Sequence, residues 1–200
     1  FEALPHFPRP DCVGKETRGT PDYRVEGSWK RNRPRVIFQY TLSGEGCFRD
    51  AAGEHRLPPG KGFLCEVYDP GISYFYPPGS TRPWEFVYIT FYGAPAAAMV
   101  KDIVRRHGAV FDLAPDCKLL NQLKAYSVYD RTSVRMSSSA GAAIVFEVLM
   151  TLCESKESSV ARSSSNRIVT EACSKIDDGI PGGISVTGLA GKMGISREHL

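Results

Sequence analysis

A protein metal centre needs three or four His, Cys or carboxylate side chains converging on one ion. This 200-residue chain has four histidines, His6, His55, His107 and His199, spread from one end to the other. Only His55, in "GEHRL", lies in the strand-rich part, with Glu54, Glu66 and Glu85 as its candidate carboxylate companions. One imidazole is not a site, and a strand turning toward solvent explains an isolated carboxylate, so no metal and no cofactor is expected. The chain also lacks a G-x-S-x-G elbow, a P-loop and a Cys–His pairing. Nucleophilic and phosphoryl chemistry are therefore not expected either.

The aromatic residues point instead to binding. "SYFYPPGSTRPWEFVY" packs Tyr74, Phe75, Tyr76, Trp84, Phe86 and Tyr88 into a short stretch. Strand alternation puts Trp84, Phe86, Tyr88 and Thr90 on one face and Glu85, Val87, Ile89 and Phe91 on the other. The first face is the kind of wall that stacks on the apolar side of a sugar ring while polar tips orient it. Aromatics that simply fill a small barrel would look the same. In "RPRVIFQYTL", Arg35, Ile37, Gln39 and Thr41 share a face opposite Val36, Phe38, Tyr40 and Leu42. A buried Arg and Gln require partners, which a ligand or solvent at an open sheet face would supply.

A second constellation closes the chain. In "VTGLAGKMGISREHL", Leu189, Ala190 and Met193 face inward from a short helix that Thr187 is placed to cap. Gly194 follows Ala190 by four residues. A helix-turn-helix needs a small residue where its helices cross and a positive-φ residue in the turn. Ser196 then falls at the cap of a following helix, with Arg197 and His199 on its first turn as candidate DNA contacts.

These residues must be carried by elements. Arg35–Leu42, Glu45–Arg49, His55–Leu57, Gly62–Val67, Ser73–Tyr76 and Trp84–Tyr92 read as short strands separated by turn glycines, which argues for a sandwich or small barrel. After Gly93 the period becomes helical. Ala96, Met99, Val100, Ile103 and Val104 share one face, Leu119, Leu120, Leu123 and Tyr126 a second, and a third helix runs from about Ser139 to Glu154. The wide apolar band of that helix suits a barrel-bracing or dimer surface. Ser155–Asn166 reads as a Ser-rich linker, and Ile168, Ala172 and Ile176 begin another helix. With 42% hydrophobic and 24% charged residues the chain is of ordinary globular type, and a transmembrane helix is not expected. Six scattered cysteines without a CxxC pair read as free thiols of a reducing cytoplasm. The net charge of +3 does not by itself indicate nucleic acid. The chain starts at Phe1 with no export signal and reads as a piece of something longer.

"RIVTEACSKIDDGIPGGISVTGLAGKMGISREHL" resembles the first of the two helix-turn-helix units of AraC-type transcription regulators. "FQYTLSGEGCF…GEHRLPPGKGFLCEV…YFYPPG…PWEFVYITFYG" looks like their effector-binding cupin barrel. The resemblance implies a mainly β fold with α: a cupin-like double-stranded β-barrel, a helical dimerisation or bracing segment, and a truncated helix-turn-helix. The expected division is an arm over 1–22, a barrel over 23–93, helices over 94–154, a linker over 155–165 and a partial DNA-binding domain over 166–200. The implied function is effector sensing in a DNA-binding regulator, with a metal-dependent cupin enzyme as the alternative. Tyr76, Phe86 and Tyr88 match pocket-lining positions of the family, and so does Trp29 ahead of the Arg35 strand. Phe86 departs from the family by being apolar. The candidate ligand set is thus Trp29, Arg35, Gln39, Tyr76, Trp84, Phe86 and Tyr88. Expected partners are a small molecule, most simply a carbohydrate, a second copy of the chain, and DNA for the full-length protein, with no membrane. The arm would fold over the effector as a lid.

Overall fold

The computed structural model describes residues 7–27, 35–128, 133, 135–179 and 185–197. It separates into two compact units, 1–155 and 156–200. The first unit is built on nine strands: β1 Arg9–Arg18, β2 Arg24–Glu26, β3 Arg35–Ser43, β4 Gly46–Asp50, β5 Gly53–Leu57, β6 Lys61–Glu66, β7 Ser73–Phe75, β8 Trp84–Tyr92 and β9 Val110–Asp112. They form two antiparallel sheets, one ordered β1-β8-β3-β6-β9 and the other β2-β7-β4-β5. Helices α1 Ala94–His107 and α2 Lys118–Ser127 accompany them, and α3 Ser138–Gly179 begins in this unit.

Alternation along β3 and β8 creates two cores from the same strands. Val36, Phe38 and Tyr40 with Val87, Ile89 and Phe91 pack on the helices, where Val100, Leu120, Leu123, Val145, Val148, Leu149 and Leu152 meet them. Ile37, Trp84 and Phe86 turn the other way and join Phe63 with Phe48, Leu57 and Tyr74 of the second sheet. This is the cupin-like interior. Gly46 makes the closest packing there possible, because a Cβ at that position would lie 2.1 Å from the Trp84 indole.

Three elements differ from the sequence reading. The expected arm, 1–22, contains β1, which pairs with β8 from Arg9↔Tyr92 to Arg18↔Trp84. "RPDCVGKETR" has almost no apolar alternation because an exposed edge strand does not need it. The expected linker, 155–165, lies inside α3. No Gly or Pro occurs between Gly141 and Gly179, so nothing in that Ser-rich stretch stops the helix. Finally, Ser138–Ser159 is long and apolar enough to cross a membrane by length and composition, with mean hydropathy 1.3, against the expectation of no such helix. Its stripe of Val145, Val148, Leu149 and Leu152 is instead spent in the protein core at 0% exposure.

The second unit carries α4, Val186–Met193, with Leu189 and Ala190 buried. Its cap is Ser185, not the expected Thr187: the Ser185 hydroxyl accepts the Gly188 N–H at 3.0 Å. Gly194 ends the helix at φ 67°, the left-handed turn conformation its position calls for.

Candidate functional site

The pairing register brings the candidate residues of two distant segments together. Gln39 lies opposite Tyr88, Thr41 opposite Phe86 and Ile37 opposite Thr90, all on the face turned toward the second sheet. β1 adds Gly14 opposite Tyr88 and Glu16 opposite Phe86. Gly14 leaves room for the Tyr88 ring, since a Cβ there would stand 2.6 Å from the phenol oxygen. Tyr23, just before β2, closes over Phe86 and Trp84 with ring centres 5.7 and 6.0 Å away.

One end of this interior is apolar and closed. Trp84 is 0% exposed, its indole N–H donates to Thr41 Oγ1 at 2.9 Å, and Thr41 donates to the Leu57 carbonyl at 3.0 Å. Phe48 and Phe63 stack at 4.7 Å, and Phe86 lies 4.7 Å from Trp84. Tyr76 spends its hydroxyl on the carbonyls of Ser80 and Arg82. Trp84, Phe86 and Tyr76 thus act in this structure as packing and loop-bracing residues.

The other end is polar. Arg35 donates to Asp11 at 2.5 Å and to Thr90 Oγ1 at 3.1 Å, and Thr90 donates to the same Asp11 carboxylate. Burial works most strongly against the Arg35 charge, but Asp11, Tyr92 and Tyr68 together outweigh it and the pKa rises. Arg35 Nε is nevertheless buried without a hydrogen bond among the described residues. Gln39 is 1% exposed, and among the described residues neither its amide nitrogen nor its amide oxygen has a hydrogen bond of normal geometry. The nearby Tyr23 hydroxyl feels the amide, yet burial and the Glu16 carboxylate together push the Tyr23 pKa up. Burial likewise raises Tyr88, reinforced by Cys12 and Glu16. The phenols are therefore neutral donors at physiological pH. Trp29 lies outside the described residues.

His55 lies half-exposed beside Phe48 and is bonded to Asp50 at 3.0 Å. Among the described residues no group of three or more His, Cys, Asp or Glu is placed to hold a metal ion. What the interior offers is a set of hydrogen-bonding groups beside aromatic faces.

Comparison with known families decides what kind of module this is. Residues 14–133, more than half of the chain, match the family described as the AraC-like ligand binding domain. The chain belongs to that family. An AraC-like ligand-binding domain is a binding module and not an enzyme, so the metal-dependent enzyme alternative falls away. Among solved structures, the chain is similar to the AraC-like transcriptional activator CuxR, with 12% identity and a TM-score of 0.46, covering 94% of this chain and 65% of that one. It is similar to ToxT from Vibrio cholerae at 9% identity and a TM-score of 0.41, covering 96% and 73%. A cupin domain of an XRE family regulator from Enterobacter cloacae matches at 17% identity and a TM-score of 0.26, covering 41% and 70%. The chain spans about two thirds of the length of CuxR. No curated protein sequence matches the chain significantly.

For an AraC-like ligand-binding domain, the residues that sequence reasoning passed over are Tyr23, Glu16 and Cys12. They come from segments without strand patterning: pairing of β1 with β8 delivers Cys12 and Glu16, and the Tyr76 N–H donating to the Tyr23 carbonyl beside the β2–β7 pair holds Tyr23. Ser196 and Arg197, the candidate DNA contacts, are exposed just past the Gly194 turn. His199 lies outside the described residues.

Proposed function

We propose that the barrel binds a small polyhydroxylated molecule, a carbohydrate or derivative, and passes that event to the DNA-binding part of a transcription regulator. The observation that carries the reading is the Gln39 amide, buried with neither atom in a hydrogen bond of normal geometry among the described residues. An unsatisfied buried polar group costs about 1–3 kcal/mol. A ligand with a donor and an acceptor side by side, as vicinal hydroxyls are, recovers that cost at both atoms. Tyr23 and Tyr88, both packed on Phe86, supply the ring faces and Arg35 a charge on the same sheet face. Effector binding then shifts the arrangement of the DNA-reading units only by its differential affinity for the alternatives. A homodimer through the helical segment and a cytoplasmic location belong to the same reading, with Ser196, Arg197 and His199 contacting DNA in the full-length protein.

Thermal unfolding across a panel of monosaccharides and sugar acids tests it, because a ligand that binds only the folded state raises the melting temperature. A subset of the panel is expected to stabilise the wild type and to lose that effect in Gln39→Leu. A panel that shifts neither protein removes the carbohydrate.

A further inference from the structure

The alternation that turns Gln39, Thr41 and Phe86 inward turns their neighbours Tyr40, Leu42 and Glu85 to the opposite side of the sheet. There they line a cavity of about 650 Å³ together with Lys15 of β1, Pro115 and the Lys124 turn of α2. That volume lies within the range of small-molecule sites. The floor is apolar: Tyr40 is 1% exposed and its hydroxyl is already given to the Leu113 carbonyl. Val128, 78% exposed, stands at the edge.

The charges at the rim are not balanced. Lys15 is paired with Glu85 at 2.6 Å, and Glu85 also accepts from Ser43. These two contacts hold the Glu85 carboxyl below the usual carboxylate range. Among the described residues Lys124 has no carboxylate partner: its ammonium, in the half-buried last turn of α2, donates to the Pro115 carbonyl at 2.8 Å. An ammonium has three donors, so this contact leaves capacity for an anion. We propose that the cavity is a second small-molecule site, outside the barrel, for an amphipathic anion: an acidic head on Lys124 and a short apolar body against Tyr40, Leu42 and Pro115. The apolar floor rewards the body, and the charge-assisted contact selects the head.

Octanoate, octanol and acetate separate the two contributions, with binding followed by titration calorimetry and thermal shift on the whole chain. Octanoate is expected to bind saturably and to stabilise the protein, while octanol and acetate, each lacking one half of the chemistry, bind at least about tenfold more weakly. Lys124→Gln is expected to weaken octanoate by about tenfold, and Gln39→Leu to leave it unchanged. Absence of saturable octanoate binding, equal binding by Lys124→Gln, or loss in Gln39→Leu would each overturn the proposal.

Discussion

Two buried residues of the interior, one apolar contact and one amide, behave in opposite ways. Gly46 and Trp84 meet so closely that no side chain fits between them. Gly46→Ala is expected to cost about 3 kcal/mol, the upper part of the usual overpacking range, read as a fall in the urea midpoint with an unchanged slope. A midpoint equal to wild type would show that the indole moves aside freely. The Gln39 amide fits without clash but is not satisfied. That is a cost the folded chain carries in the absence of a ligand. Both residues sit on strands that the aromatic and β-branched pattern makes legible, yet neither role is visible in that pattern. A glycine at the start of a strand and a glutamine within one look alike whether they face solvent or an indole.

At the scale of elements, the edge strand β1 and the small helix α4 carry the clearest lessons. β1 contributes Asp11, Gly14 and Glu16 to the polar end of the barrel, although its sequence reads as a charged tail. Its partner β8 decides its conformation. α4 is the reverse case, since Leu189, Ala190 and its terminating Gly194 follow from local rules, while Met193 is only half-buried and the cap was misplaced by two residues. Ser185→Ala is expected to destabilise α4 by about 1 kcal/mol, whereas Thr187→Ala leaves it nearly unchanged. Amide hydrogen exchange at Gly188 and Leu189 distinguishes the two. Faster exchange in the Thr187 variant alone would return the cap to the position the sequence suggests.

For the molecule as a whole, buried acids set the response to alkali. Burial, chiefly, pushes the Cys47 thiol up to about 11 and raises Tyr23, Tyr74 and Tyr88 above the ordinary phenol value. The unfolded chain releases these protons first, so it binds fewer of them than the folded chain in that range. The stability they contribute is therefore complete below about pH 8.5 and is lost as the pH rises through the folded-state values. Urea midpoints are expected to stay level from pH 7 to about 8.5 and to fall above it, with a shallower fall for Tyr74→Phe; a profile flat throughout would contradict it. On α3, Phe146 and Met150 are 40% and 44% exposed, one turn apart beside the buried stripe. As the proposed dimer contact they predict that Phe146→Glu with Met150→Glu yields monomers by sedimentation, and an unchanged mass would place the contact elsewhere. By itself the amino-acid sequence determined the strand-rich front, the helices behind it, the turn at Gly194 and the family, because hydrophobic period and turn chemistry are local properties of the chain. Tertiary structure alone decided that β1 completes the sheet, that Trp84 and Phe86 are core, that Gln39 is left unsatisfied and that Lys124 stands over an apolar cavity. Each of those depends on which strand pairs with which and what then lies across the gap, and pairing between segments so far apart in the chain leaves no trace in either partner's own sequence.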